Sequence, residues 1–255
     1  MEQTEQSQRI LVLMPCYNEQ GRITDVIQSI RNALPSAHII LINDASDDSS
    51  ADEAALAGAT VLTHGCNLGY GAALETGYIY AVENDFDIVL QMDADGQHLA
   101  HQLHLLAAPI LNDSADLVIG SRYGNSPDGG SASSPIKHFG HRLFAFIVRM
   151  LSGLSLSDPT SGFQALNRKA LALFSSEEFP CDYPDSDVIL MASMSGLRIM
   201  EVPVTMKERL GGTSMHDGIE PFYYAIKMLF SMFVVLLNKP KWYRWRQAHS
   251  TPPTS

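Results

Sequence analysis

Residues 89–98 read Val-Leu-Gln-Met-Asp-Ala-Asp-Gly-Gln-His, an apolar stretch that ends in two aspartates separated by one residue. The apolar run begins at Ile88 and is typical of a buried strand. Asp93 and Asp95 follow its carboxyl end, which is where open α/β sheets bind ligands. Mg²⁺ typically takes one or two carboxylates and leaves its other positions to water and phosphate oxygens, so the pair predicts a metal–diphosphate site. The alternative is an ordinary polar turn, in which Asp and Gly are common.

Apolar runs alternate with segments of helical spacing through the first half of the chain. The runs are residues 9–14, 38–42, 60–63, 88–92 and 116–119. After the first run, which Pro15 is expected to end, apolar residues recur at the three- and four-residue spacing of one helix face. The alternation predicts an α/β protein with a mainly parallel central sheet and helices on both of its faces.

Polar residues follow four of the five predicted strands. They are Tyr17 and Glu19 after the first strand, Asp44 after the second, Asp93 and Asp95 after the fourth, and Arg122 after the fifth. The carboxyl ends of parallel strands meet at one edge of a sheet, so we expect these side chains to converge there. Such convergence favours a binding site over four unrelated polar loops.

The second half of the chain is less regular, but it too contains recognisable segments. They are a Gly-, Ser- and Pro-rich loop at 125–135, a turn and short strand at 158–165, a helix at 185–194 and a strand at 197–204. The whole chain is expected to divide into four parts. These are a flexible leader (1–8), one domain (9–218), an apolar helix (219–238), and a basic, aromatic segment with a disordered tail (239–255).

Composition excludes several classes of protein. A net charge of −11 argues against a nucleic-acid partner. Cys16, Cys66 and Cys181 are too few and too scattered for a disulfide framework or a zinc site, which favours a reducing, cytoplasmic location. His98, His101 and His104 recur every three residues, a spacing that drifts around a helix, so we expect a solvated surface there and not a zinc site.

The C-terminal region has a membrane-like composition. The apolar run at 228–237 is shorter than the roughly 20 residues that a spanning helix needs. Residues 239–246 then mix Lys and Arg with Trp and Tyr, which favour the interface of an anionic membrane. This pattern predicts a peripheral position on the inner face of the cell membrane. A helix buried in the core and a homodimer through this helix are the alternatives.

Eight short motifs resemble the family-2 glycosyltransferases, whose fold is called GT-A and is Rossmann-like. They are PCYNE (15–19), INDASDDS (42–49), NLGYGAALETG (67–77), MDADGQH (92–98), VIGSR (118–122), DPTSGFQA (158–165), EVPVTMKER (201–209) and GGTS (211–214). Each motif alone is weak, whereas the ordered set is specific. The most similar branch is that of the dolichol-phosphate mannosyltransferase-like proteins, which move a sugar onto polyprenyl phosphate.

The resemblance implies a set of residues for the nucleotide-sugar donor. They are Pro15, Tyr17, Glu19, Ile42, Asp44, Asp93, Ala94, Asp95, Arg122 and Arg209. Within this set, Arg122 and Arg209 match basic residues that hold the diphosphate or the acceptor phosphate. The metal, Mg²⁺ or Mn²⁺, is assigned by the resemblance to Asp93, Asp95 and Gln97.

The resemblance also implies how the reaction proceeds. Lys137, His138 and Arg142 match the region that carries basic groups toward the acceptor phosphate, and Asp158 matches an aspartate that points toward the reacting sugar. Asp158 is therefore the candidate catalytic carboxylate beside Asp93 and Asp95, although an Asp-Pro turn would explain it equally well. The implied activity is a metal-dependent, inverting transfer from a nucleotide-diphosphate sugar to a lipid-linked acceptor such as polyprenyl phosphate.

Three other functions remain open from the residues. A hydroxyl acceptor in cell-envelope polysaccharide or glycolipid synthesis would need a general base, for which Asp158 is the candidate. A non-catalytic nucleotide-sugar-binding protein is the second, because Met215 and His216 stand where the family branch often carries a lysine. A sugar-nucleotide pyrophosphorylase is the third, but it would be expected to carry a Gly-rich basic loop after the first strand, where this chain has PCYNE.

Overall fold

The computed structural model describes most of the chain. The described residues are 8–123, 135–177, 179–180, 184–207 and 220–249, with the backbone alone at 135–143 and 220–225. Within them, seven strands form one sheet in the order β3-β2-β1-β4-β6-β5-β7. The strands are β1 (Ile10–Cys16), β2 (His38–Asn43), β3 (Thr60–Thr63), β4 (Ile88–Gln91), β5 (Leu117–Ser121), β6 (Gln164–Asn167) and β7 (Ile199–Pro203).

Helices connect these strands and cover the sheet. They are α1 (Ile23–Ala33), α2 (Ser50–Leu56), α3 (Tyr70–Glu83), α4 (Leu103–Leu111), α5 (Pro135–Ser152), α6 (Arg168–Phe174), α7 (Ser186–Met194), α8 (Glu220–Leu237) and α9 (Lys239–Ala248). A short 3₁₀ helix, Ala100–Gln102, precedes α4. The predicted strands and the α/β class are confirmed.

The helices pack against both faces of the sheet, as predicted. Along β1, Leu11 and Leu13 enter one core cluster while Val12 and Met14 enter the other, and all four are completely buried. Successive side chains of a strand point to opposite faces, so a strand that is apolar at every position must be covered on both. On the face of α3 the contact is very close, because a Cβ at Gly77 would lie 2.1 Å from Leu13 Cδ1.

One strand runs against the others. β1, β2, β3 and β4 are parallel, as are β5 and β7, whereas β6 is antiparallel to both β4 and β5. An antiparallel strand begins at the edge where its neighbours end. The turn that precedes β6 therefore reaches the same edge as the loops that follow β4 and β5.

One detail of the sequence interpretation was wrong, and one element was not predicted. Pro15 does not end β1, which continues to Cys16 and pairs with β2 through Pro15 and Cys16. β4 pairs with β1 only as far as Leu13, so the missing N–H of Pro15 interrupts no ladder on that side. The basic, aromatic segment, for which no helix was predicted, forms α9, and its buried Trp242 donates a hydrogen bond to the Val235 carbonyl at 2.9 Å.

Candidate active site

The polar loops lie along one edge of the sheet, as the alternation predicted. The carboxyl ends of β1, β2, β4 and β5 meet there, and the amino end of β6 joins them because of its reversed direction. Asp158, in the turn before β6, is thereby brought to Arg122, which follows β5. The described residues thus place acidic side chains on the β1–β4 part of the edge and a guanidinium on the β5–β6 part.

Asp93 is held by a line of three hydrogen bonds that begins in the core and ends at its carboxylate. Tyr78 donates to the Gln91 side-chain oxygen, Gln91 Nε2 donates to Tyr70 Oη at 3.2 Å, and Tyr70 donates to Asp93 Oδ1 at 3.2 Å. Burial and the charge of Asp93 raise the pKa of Tyr70, so its hydroxyl stays protonated and donates. About a third of the Asp93 side chain remains exposed, at 34%. The carboxylate is therefore both oriented and accessible.

His98 supports the same loop from the other side. It is buried, its ring stacks on Phe163 with centroids 4.7 Å apart, and its Nδ1 accepts a hydrogen bond from the Asp93 amide at 2.9 Å. Burial lowers the pKa of His98 to about 4, so the ring is neutral at pH 7. The expectation that His98 belongs to a solvated surface was wrong, because the residue precedes the helix on which that expectation rested.

The remainder of the Asp-Ala-Asp loop is folded tightly. Asp95 Oδ1 accepts the Gln97 amide at 2.9 Å, and Gln97 exchanges hydrogen bonds with Lys207 through its carbonyl and its Nε2. Ala94 is buried, at 2% exposure. Among the described residues no three His, Cys, Asp or Glu side chains form a metal site. Two carboxylates nevertheless fit a Mg²⁺ or Mn²⁺ ion that takes its other ligands from water and a diphosphate.

Asp44 anchors a loop in this structure. Its Oδ1 accepts from the Leu68 amide at 2.8 Å and lies 2.7 Å from His64 Nδ1, while its Oδ2 accepts from the Gly69 amide at 2.8 Å. The residue is 3% exposed. Gly69 adopts a φ of +97°, a conformation that favours glycine, at the start of α3. Contact of Asp44 with a nucleotide stays a prediction.

The other residues assigned to the base and ribose differ in how accessible they are. Tyr17 is 47% exposed and offers a ring face. Glu19 is buried and lies 2.5 Å from Arg22 Nη1, and its amide donates to Ser50 Oγ. Pro15 and Ile42 are buried within the sheet, so Tyr17 is the one of these four with an open side-chain surface.

Arg122 and Asp158 form a two-pronged ion pair. Nε lies 2.6 Å from Oδ2 and Nη2 lies 2.7 Å from Oδ1, and the Arg122 amide also donates to Oδ2. Burial opposes the charge of Arg122, but the hydrogen bonds to Asp158 outweigh it and raise the pKa of the guanidinium. Asp158 is fully buried, whereas a third of the Arg122 side chain is exposed. In this structure both oxygens of the Asp158 carboxylate are therefore engaged in holding the Arg122 guanidinium.

Sequence reasoning missed two residues of this edge. Glu201, on β7, accepts hydrogen bonds from the amides of Ser157 and Asp158. At Gly162, a Cβ would lie 2.7 Å from Tyr70 Oη and 3.5 Å from Asp93 Oδ1. Both residues belong to motifs quoted above, so the signal was present, but nothing in the sequence indicates which neighbours they meet.

Several predicted site residues cannot be placed. Arg209, Met215 and His216 lie outside the described residues. Lys137, His138 and Arg142 belong to α5, in a part whose side chains lie outside the described ones. The roles assigned to all six stay predictions.

Comparison with known proteins gives a consistent result. The model of glycosyl transferase family 2 matches residues 11–174. The chain is 31% identical to polyprenol monophosphomannose synthase of Mycolicibacterium smegmatis, over 83% of this chain and 82% of the relative. It is 32% identical to undecaprenyl-phosphate mannosyltransferase of Micrococcus luteus, over 83% and 89% respectively. The chain therefore belongs to glycosyl transferase family 2 and is a glycosyltransferase.

A solved structure agrees with the fold. Glucosyl-3-phosphoglycerate synthase from Mycobacterium tuberculosis, in complex with Mn²⁺, uridine-diphosphate and phosphoglyceric acid, superposes with a TM-score of 0.68. The two sequences are 20% identical, and the match covers 91% of this chain and 78% of that one. This likeness confirms the GT-A type of fold that the motifs implied.

Proposed function

We propose that the protein transfers a sugar from a nucleotide-diphosphate sugar to a lipid-linked phosphate, polyprenyl phosphate being the favoured acceptor. An acceptor phosphate oxygen forms a bond to the anomeric carbon as the bond from that carbon to the donor diphosphate breaks. Attack comes from the face opposite the leaving group and inverts the configuration. The nucleoside diphosphate departs with the electron pair of the broken bond.

The engagement of Asp158 is the observation that carries this proposal. A hydroxyl acceptor needs a base to take its proton, but the buried Asp158 carboxylate is bound by Arg122 through both oxygens. A phosphate monoester needs no such base, since its second pKa is about 6 and it is already anionic at pH 7. Asp158 then orients Arg122, and Arg122 binds the acceptor phosphate. The names of two relatives, a polyprenol monophosphomannose synthase and an undecaprenyl-phosphate mannosyltransferase, support this acceptor class.

Asp93, Asp95 and Gln97 are proposed to hold Mg²⁺ or Mn²⁺, which when bound supplies positive charge to the leaving diphosphate. Tyr70 and His98 keep Asp93 in place through its carboxylate and its amide. The exposed ring of Tyr17 is proposed to pack against the donor base. Ala94 is buried, and its small side chain is proposed to leave room for the nucleotide. A larger side chain at this position would clash with it.

The acceptor can be tested directly. Purified protein is incubated with Mn²⁺, a panel of radiolabelled nucleotide sugars, and either undecaprenyl phosphate or the matching undecaprenol. We expect product with the phosphate alone, and none when EDTA removes the metal. Comparable product with undecaprenol would contradict the acceptor, and hydrolysis or binding of the donor without transfer to either lipid would contradict the reaction.

A position on the cytoplasmic face of the membrane is part of the same proposal. α8 buries Met228, Met232 and Val235 but exposes a second apolar face, the α8 stripe. The stripe comprises Ile226, Leu229, Phe230, Phe233, Val234 and Leu237, which lie at helical spacing and are each at least 39% exposed. Exposed basic residues follow on α9, and no Asp or Glu occurs after Glu220. An apolar face beside positive charge fits an anionic lipid surface.

Membrane attachment has its own test. None of the helices in the described part of the chain is long and apolar enough to cross a membrane. Flotation with vesicles of phosphatidylglycerol and phosphatidylcholine is expected to carry the wild type and to lose the double variant Phe230→Ser, Phe233→Ser. Leu56→Ser, at an exposed position on α2, is the matched control. Unchanged flotation of the double variant, or a stable dimer that it abolishes, would contradict a lipid partner.

A further inference from the structure

Glu201 binds a turn through its carboxylate. Both oxygens of its carboxylate accept a hydrogen bond from the Ser157 amide at 2.9 Å. Oε2 also accepts from the Ser157 hydroxyl at 2.7 Å, and Oε1 accepts from the Asp158 amide at 2.8 Å. Four hydrogen bonds from two consecutive residues fix the backbone of that turn.

The turn that Glu201 fixes carries the partner of Arg122. Asp158 is completely buried and binds Arg122 through both carboxylate oxygens. A second connection runs through hydroxyl groups, since Ser157 Oγ lies 2.7 Å from Ser121 Oγ, and Ser121 precedes Arg122 in the chain. Arg122 is therefore held by a turn from one side and by its own strand end from the other.

Strand pairing places Glu201 where it can do this. β7 is parallel to β5, with Glu201 opposite Ile119 and Pro203 opposite Ser121. Glu201 thus lies on the strand next to β5, whose last residue, Ser121, precedes Arg122. Asp158 occupies the Nε and Nη2 edge of the guanidinium, which leaves the Nη1 side to a phosphate oxygen.

We propose that Glu201 is a positioning residue for the acceptor phosphate. It holds the Ser157–Asp158 turn, the turn holds the Arg122 guanidinium, and the angle of the guanidinium sets how well an acceptor phosphate is bound. The inference rests on the proposed function, because it assigns Arg122 to the acceptor. It predicts that Glu201 affects acceptor binding and leaves donor binding unchanged.

The decisive variant is Glu201→Gln, which preserves size but replaces an acceptor oxygen with an amide donor. The new amide nitrogen cannot accept from Ser157 or Asp158, and the remaining oxygen carries no charge, so the turn loses at least one charge-assisted hydrogen bond. We expect the KM for undecaprenyl phosphate to rise about tenfold and the KM for the nucleotide sugar to stay within about twofold. Glu83→Gln, at an exposed position at the far end of α3, is the control and should change neither.

A second readout does not depend on activity. The Arg122 Nε–H proton is hydrogen-bonded to Asp158 and should give a slowly exchanging NMR signal, assigned by its loss in Arg122→Lys. In Glu201→Gln this proton should exchange faster or shift. If Glu201→Gln does not fold, Ser157→Ala replaces it, with a smaller shift of the same proton and about a twofold rise in the acceptor KM alone.

The outcomes separate the two proposals. An unchanged Arg122 signal, or an equal rise in both KM values, would overturn the role of Glu201 while leaving lipid-phosphate transfer intact. If the wild type fails to transfer sugar to undecaprenyl phosphate, the proposed function fails, and the Arg122 signal alone decides whether Glu201 positions that side chain.

Discussion

The two parts of the sheet fix their polar residues in different ways. We call β1 to β4 the donor half and β5 to β7 the acceptor half, after the ligands proposed for them. In the donor half, carboxylates accept mainly from backbone amides: Asp44 accepts from Leu68 and Gly69, and Glu53 accepts from Gly21. Glu19, which pairs with Arg22, is an exception. In the acceptor half, β5 to β7, the carboxylate of Glu201 also binds amides, but the next carboxylate, Asp158, binds a guanidinium.

The difference shows how one sheet edge can present both charges. Carboxylates that accept from amides shape loops, and on the proposed function Asp93 and Asp95 of the donor half bind the cation. The Asp158 carboxylate occupies only one hydrogen-bonding edge of the planar Arg122 guanidinium, and on the proposed function another edge binds the acceptor phosphate. Substitutions in the two halves should therefore change different kinetic constants.

The largest effect is expected in the donor half, from Asp95→Asn. An amide binds divalent metals far more weakly than a carboxylate does, and kcat should fall about 1,000-fold or more. The rate of sugar transfer, measured over a Mn²⁺ titration, checks this. Asp85→Asn, an exposed aspartate at the opposite edge, should remain fully active. Turnover within tenfold of wild type at saturating Mn²⁺ would refute the metal assignment.

The matching test in the acceptor half is Arg122→Lys. A lysine cannot reproduce the two-pronged contact with Asp158 and bind a phosphate on a second edge, so the acceptor KM should rise about 100-fold. Steady-state kinetics with each substrate varied in turn measure the change. Arg168→Lys, in an exposed ion pair at the opposite edge, serves as control. A rise confined to the donor KM would place Arg122 on the donor diphosphate instead.

Gly162 lies between the halves and should show an intermediate effect. The Cβ of Gly162→Ala would press on Tyr70 Oη and approach both Asp93 oxygens. We expect kcat to fall about tenfold and the free energy of unfolding to drop by about 1–3 kcal/mol. Denaturant unfolding and initial rates measure these quantities. Gly65→Ala, where an added Cβ meets nothing within 4 Å, is the control.

A double variant sharpens this test. Tyr70→Phe removes the hydroxyl that the new Cβ would meet, so combining it with Gly162→Ala should recover part of the lost stability. Strictly additive losses in the double variant would show that the two positions do not contact each other.

The smallest effect is expected behind the acceptor half, at Asp187. This buried residue of α7 accepts hydrogen bonds from Ser231 of α8 and from the Val188 amide. Burial raises the pKa of Asp187, so its stabilising contribution is complete below the ordinary value of 3.8 and is lost as pH rises through the raised pKa. Asp187→Asn cannot ionise, and its stability relative to wild type should therefore increase with pH.

Denaturant unfolding from pH 4 to pH 8 measures this trend. Asp52→Asn, at an exposed acid on α2, is measured alongside it as the control. A stability of Asp187→Asn that falls relative to that of the wild type as pH rises would contradict the assignment.

Much of the donor half was predictable, because its strands are short apolar runs between clear helices. Tyr17, Asp44, Asp93 and Arg122 could be placed at one edge on that basis alone. The acceptor half was harder, since β6 has four residues and no pattern that reveals its direction. The contact between Arg122 and Asp158 joins residues 36 positions apart and depends on that direction.

Long-range packing explains the remaining errors. His98 was assigned to a surface by local spacing, but it is covered by Phe163, which is brought there by β6. The importance of Glu201 depends on the pairing of β5 with β7, which no local pattern reveals. Pro15 was expected to break a strand. Because β1 pairs with β4 only as far as Leu13, the missing N–H of Pro15 costs no hydrogen bond to β4.

The buried line from Tyr78 to Asp93 has one more consequence. Every donor along it faces the same way, from Tyr78 to Gln91, from Gln91 to Tyr70 and from Tyr70 to Asp93. Hydrogen bonds aligned head to tail polarise one another, so the charge on Asp93 is felt along the whole line. The hydrogen bond donated by the buried Tyr78 hydroxyl should therefore change in strength when a cation binds to the Asp93 carboxylate.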